Sequence, residues 1–102
     1  MKRFKVTVQR EDVYIIELNE LLFSEDWMKQ FREEFYDFHT LEQHAEHIAQ
    51  LRARFGGGRL EGYGVPLING KTQNFYDHPE AGININIVSE DEECDAYTEE
   101  LK

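Results

Sequence analysis

Residues 83–88 read Ile83-Asn84-Ile85-Asn86-Ile87-Val88, with isoleucine at every second position and asparagine between. Successive side chains of an extended chain point to opposite faces, so the stretch predicts a strand with one apolar and one polar face. The isoleucine face belongs to a core, and the Asn84/Asn86 face meets water or a partner. Upstream, residues 59–82 are irregular and rich in glycine and proline, with room for a short strand at Leu60 to Val65. Before that stretch the period changes to helical. Thr40 and Gln43 form a capping box, Leu41, Ala45, Ile48, Ala49, Leu51 and Phe55 supply one buried side, and Gly56-Gly57-Gly58 ends the helix. An earlier helix starts at the cap Ser24, with Glu25 and Asp26 complementing its dipole and Trp27, Met28, Phe31, Phe35 and Phe38 as its stripe.

Two further strands are expected at the N-terminus. Phe4, Val6 and Val8 alternate with Lys5, Thr7 and Gln9, and Val13 to Leu18 is β-branched and aromatic. The link from Gln9 to Asp12 is short and polar, so an antiparallel hairpin is the economical connection. The order hairpin, two helices, loop, strand predicts an α+β fold: a small antiparallel sheet packed by two consecutive helices. Residues 1–89 form the single domain of this reading, and 90–102 an acidic tail.

Charge narrows the function classes. The 102 residues carry 21 acids against 11 bases, a formal −10. That balance disfavours direct nucleic-acid binding, which needs a cationic footprint, and docking on anionic membranes. Cys94 is the only cysteine, which excludes an intramolecular disulfide and a cysteine-rich zinc site. No apolar run of signal-peptide or membrane-spanning length is present, so a cytoplasmic protein is expected.

Several residues invite a chemical reading. His44 and His47 lie three apart on the second helix, with His78 further on, and together they are an alternative metal site. The spacing is not that of H-E-x-x-H, and His44 shares the stripe of Leu41, Ile48 and Leu51, which equally suits a buried, hydrogen-bonded side chain. His39, at the helix junction, is placed to bond a free carbonyl. The glycines of 56–64 follow a helix rather than lead into one, so they predict a helix end and tight turns, not a phosphate cradle. Gly62 and Gly64 flank Tyr63, which is turned outward to a partner or pinned to the core. Ser24 is taken as a cap, Cys94 sits in an acidic run that disfavours its thiolate, and no carboxylate pair has an evident apolar pocket. No cofactor motif is read.

The tail holds Glu90, Asp91, Glu92, Glu93, Asp95, Glu99 and Glu100 against Lys102, a net −6 of the −10. It reads either as a solubilising terminus or as a segment that imitates phosphates for a basic surface.

The runs Thr40-Leu41-Glu42-Gln43-His44-Ala45-Glu46-His47-Ile48-Ala49, Glu61-Gly62-Tyr63-Gly64 and Ala81-Gly82-Ile83-Asn84-Ile85 resemble a family of uncharacterised small proteins from phages, plasmids and integrated bacterial elements. The resemblance implies a bacterial mobile-element setting and carries no catalytic residue. The leading expectation is a non-enzymatic interaction protein whose partner is another protein, in one version a nucleic-acid-binding protein inhibited by charge mimicry. Its contacts would be Glu90, Asp91, Glu92, Glu93 and Asp95, with Tyr63, Asn84 and Asn86 as secondary contacts. The alternatives are a metal-dependent protein using His44, His47 and His78, an immunity-type protein, and a homo-oligomer joined through Ile83, Ile85 and Ile87.

Overall fold

A computed structural model describes residues 1–73, 79–91 and 95–101. Along the chain run β1 (Arg3–Gln9), β2 (Val13–Leu18), α1 (Glu25–Glu34), α2 (Leu41–Phe55), β3 (Val65–Ile68), β4 (Pro79–Ser89) and β5 (Asp95–Leu101). His78, Glu92, Glu93 and Cys94 lie outside the described residues. The α+β class holds: two helices stand beside two small sheets.

Both helices form where their caps place them. Ser24 Oγ accepts from the Trp27 N–H at 3.2 Å, and Thr40 and Gln43 make both halves of a capping box. Gly56, at φ +76°, ends α2. The first helix is shorter than its apolar stripe, because the backbone leaves helical geometry at Phe35. Phe38 nevertheless remains packed against the core from the connection between the helices.

The strand pairing corrects one expectation. The first two strands do not form a hairpin with each other. β1 pairs antiparallel with β5, from Arg3 opposite Leu101 to Gln9 opposite Asp95. β2 pairs antiparallel with β4, from Val13 opposite Ser89 to Leu18 opposite Ile83. The physical reason is that Gln9 to Asp12 lacks the residues of a tight reversal, while the C-terminal half of the chain offers a complementary strand to each. The second sheet has the order β2-β4-β3, and β3 runs parallel to β4, so that sheet is mixed rather than wholly antiparallel.

Alternation places Ile83 and Ile85 of β4 inward, fully buried, against Ile48 of α2 and Phe31 of α1. This closes the route to an oligomer through the isoleucine face, since those side chains are already covered by the chain's own helices. The opposite face, with Ile15, Asn84, Asn86 and Val88, is open. The β1/β5 ribbon projects from this body. The molecule measures 56 × 30 × 21 Å with a radius of gyration of 17.2 Å, well above the ~13 Å of a compact domain this long. Among the described residues no helix is long and apolar enough to cross a membrane.

One glycine fixes the approach of the loop after α2. Gly62 sits at φ +87°, and a Cβ there would lie 2.7 Å from Phe31 Cε2. Gly62→Ala is expected to lower the unfolding free energy by about 2–4 kcal/mol, from left-handed strain plus overpacking. Gly70, at φ +75° with open space around it, carries the strain alone, and Gly70→Ala is expected to cost about 1 kcal/mol. Urea denaturation of the two variants beside the parent measures the difference.

Candidate functional site

The chemistry-bearing side chains singled out in the sequence converge on Tyr63. Its hydroxyl lies 2.8 Å from His44 Nδ1 and 3.2 Å from His47 Nδ1. Helical spacing puts both imidazoles on one side of α2, and the turn at 60–64 delivers the phenol between them. That turn closes through the hydrogen bond from the Leu60 N–H to the Gly64 carbonyl. His44 has 0% of its surface exposed and Tyr63 only 5%. The tyrosine is therefore pinned in the core, and the outward orientation does not occur.

The surroundings are aromatic. The His44 ring meets Phe31 edge-on at 4.8 Å between centroids and Phe38 at 5.4 Å, with Trp27 also at 5.4 Å. His47 packs edge-on against Tyr36 and Phe38. We assign the protons so that His47 Nδ1–H donates to Tyr63, Tyr63 donates to His44 Nδ1, and His44 Nε2 carries its hydrogen among the rings. Among the described residues His44 Nε2 has no hydrogen-bond partner, which an N–H surrounded by aromatic rings tolerates better than a bare lone pair does.

Burial sets the protonation of this group. It lowers the His44 imidazole from 6.5 to about 4, with His47 and Arg32 adding smaller repulsions. It lowers His47 too, helped by Arg54, and raises the Tyr63 phenol. All three are held neutral at ordinary pH. Both Nδ1 atoms serve the phenol oxygen, so the pair forms a hydrogen-bonded bridge. Among the described residues no three histidine, cysteine or acidic side chains converge on a common point. His39 also departs from its expected role, since its ring contacts Asp37 Oδ1 at 2.9 Å and Arg32 Nη1 donates to the Phe38 carbonyl instead.

The acidic contacts assigned to the tail divide. The Glu90 carboxylate accepts from Arg52 Nη2 at 3.0 Å and from the Tyr14 hydroxyl at 2.6 Å. These two hydrogen bonds hold its pKa below the usual carboxylate value, while burial and the Glu90 charge push Tyr14 up to about 12. Glu90 is thus an internal tie between β2, α2 and the end of β4. The Asp91 N–H donates to Asp12 Oδ1 at 3.0 Å, which fastens the joint between body and ribbon. Asp95 is the first residue of β5, opposite Gln9. Asn84 and Asn86 lie on the outer sheet face, where both amides donate to Glu17 Oε1.

Sequence reasoning missed a different acidic surface. From Glu20 to Glu46 there are eight carboxylates, all exposed: Glu20, Glu25, Asp26, Glu33, Glu34, Asp37, Glu42 and Glu46. Against them stand Lys29 and Arg32. An open depression on α1 is lined by Trp27, Phe31 and Phe35 together with Gln30, Glu33 and Glu34. The pair Glu33 and Glu34 was legible as two adjacent acids, and the structure shows that they line the same hollow as Trp27, Phe31 and Phe35.

No family model, no curated protein and no solved structure matches this chain.

Two outcomes follow from the bridge and the tie. Folding lowers the proton affinity of both histidines, so the unfolded chain binds more protons at mildly acid pH. The stability this provides is full above pH 6.5 and is lost as pH falls towards about 4, up to about 3 kcal/mol for His44. Urea titrations at several pH values measure it, and His44→Leu should flatten the dependence across that window. Glu90→Gln should cost about 1–3 kcal/mol, because Arg52 loses its charged partner in a half-buried place. A freely solvated tail acid would instead leave stability unchanged.

Proposed function

We propose that this chain is a non-enzymatic interaction protein that binds a cationic surface of another protein through the acidic layer of its helices. The observation that carries the reading is the depression on α1, where aromatic rings and the carboxylates of Glu33 and Glu34 lie side by side. Such a site suits an arginine or lysine side chain, which gains from ring faces and from charge-assisted hydrogen bonds together. The eight exposed acids of residues 20–46, Glu33 and Glu34 among them, supply long-range attraction and faster encounter. A concrete version is occlusion of the groove of a nucleic-acid-acting protein, with this helical layer in the place of phosphates. The inward use of His44, His47 and Tyr63 supports the same reading, since those groups are occupied with one another.

This moves the electrostatic contact from the tail to the helices. Glu90 is tied to Arg52, and the acids of β5 run beside the basic residues of β1, with Lys5 opposite Glu99. The test uses the single tryptophan as reporter and an arginine-rich peptide as probe. Saturable, salt-sensitive quenching of Trp27 is expected. Glu33→Gln with Glu34→Gln should weaken it about tenfold, while Glu99→Gln with Glu100→Gln, an equal change in charge, should alter it by less than about twofold. Equal losses in the two double variants would show that net charge, not this site, holds the peptide.

A further inference from the structure

Ile68-Asn69-Gly70-Lys71 reverses the chain at the end of β3. Asn69 has φ +53° and Gly70 φ +75°, and Ile68 and Lys71 exchange both of their N–H to carbonyl hydrogen bonds, at 2.9 and 3.0 Å. Positive φ at both central residues is the geometry of a type I′ turn, for which Asn-Gly is a preferred pair. The same pair is the most labile one towards deamidation. The Gly70 nitrogen, once it has lost its proton to hydroxide, attacks Asn69 Cγ, and the new C–N bond closes a succinimide as the carboxamide nitrogen leaves as ammonia. Water then opens the ring to aspartate or isoaspartate, so the net change is water in and ammonia out. Glycine has no Cβ to obstruct the closure. The other asparagines, Asn19, Asn74, Asn84 and Asn86, precede glutamate, phenylalanine or isoleucine, whose side chains hinder it.

Both reacting groups of the pair are held by β4. The Gly70 N–H donates to Asn84 Oδ1 at 2.9 Å, and the Ile87 N–H donates to Asn69 Oδ1 at 2.8 Å. The Asn69 N–H donates to the Ile85 carbonyl at 2.9 Å, so its backbone and side chain together extend the pairing of β3 with β4 past Ile68. Asn84 is itself oriented. Its Nδ2 donates to Glu17 Oε1 at 2.9 Å and to Asn86 Oδ1 at 3.2 Å, which leaves its oxygen for Gly70. A donor at a carbonyl oxygen draws charge from the carbon, so the Ile87 contact restrains the Asn69 carboxamide without deactivating it. The contact at the nucleophile decides, because the Gly70 nitrogen must give up Asn84 before it can lose its proton.

We propose that Asn69-Gly70 is a modification site gated by the fold: deamidation of Asn69 is suppressed while Asn84 holds Gly70, and proceeds when the turn leaves β4. Asn69 and Gly70 are exposed, so access of water and hydroxide is not the barrier. The isoaspartate product does not restore the turn. It puts an extra methylene into the backbone between Ile68 and Lys71, which a two-residue loop has no room to absorb. The reaction is thus a one-way record of the time this turn has spent open. It uses no partner and is independent of the proposed cationic contact.

The full chain is to be incubated at mildly alkaline pH, folded and in urea, with Asn69 followed by peptide mapping and isoaspartate by enzymatic methylation. In urea Asn69 should react ahead of every other asparagine. In the folded chain it should react at least about tenfold more slowly, since the contacts with β4 must open first. Asn84→Ala should speed the folded reaction about fivefold, the worth of one such hydrogen bond, and leave the rate in urea unchanged. Gly62→Ala, which strains the body against Phe31 and does not touch this turn, should react like the parent. Near-ultraviolet circular dichroism of the aromatic body confirms that both variants keep the fold. A parent that deamidates equally fast folded and in urea overturns the proposal. So does an Asn84→Ala rate equal to the parent's, or a Gly62→Ala rate raised as much as that of Asn84→Ala, the last showing that only global unfolding releases the site.

Discussion

One phenolic oxygen organises the body of this protein. The Tyr63 hydroxyl joins His44 and His47 of α2 to the turn that follows the helix, and the rings around it come from α1 and from the connection between the helices. A buried polar group in such a place must be satisfied, or it costs more than an apolar side chain would. The bridge meets that demand for Tyr63 and for Nδ1 of both imidazoles. Gly62 is what lets the turn close onto Phe31. The side chains with the most evident chemistry are therefore hydrogen-bonded to one another in the core.

The surface is divided by charge. The helical layer is acidic, with aromatic rings beside two of its carboxylates. The ribbon is neutral, with Phe4, Val6 and Val8 exposed on the face they share with Glu100. The Tyr14–Glu90–Arg52 tie braces the body at the end of β4, and the Asp12–Asp91 hydrogen bond fastens the joint to the ribbon. The α1 depression is the site of the proposed contact with cationic side chains.

What the sequence makes legible is what is local. The capping box at Thr40 and Gln43, the Ser24 cap, the glycine stop at 56 and the isoleucine alternation of β4 all depend on neighbours a few residues away, and each is where the pattern puts it. The hairpin expected between β1 and β2 fails because pairing is a contest between distant segments, and β5 lies some ninety residues from its partner. Asp95 to Leu101 is hard to read as a strand because its acids hide the alternation of Tyr97, Glu99 and Leu101. β3 is short, and its parallel pairing with β4 is a match between separate segments that its own composition does not show. For the site, the stripe of Leu41, His44, Ile48 and Leu51 already pointed to a buried histidine. That Tyr63 would be its partner depends on a loop conformation that no local pattern fixes.

The most direct test of this account is the titration of the histidine imidazoles by ¹⁵N NMR, with and without zinc. The account predicts that His44 keeps a neutral ring protonated at Nε2 until the pH falls to about 4, that His47 also titrates below the ordinary value, and that zinc leaves both spectra unchanged. Titration of His44 near 6.5, or zinc-induced shifts of both imidazoles at stoichiometric metal, would contradict it. Either result would return these histidines to the surface as a working site.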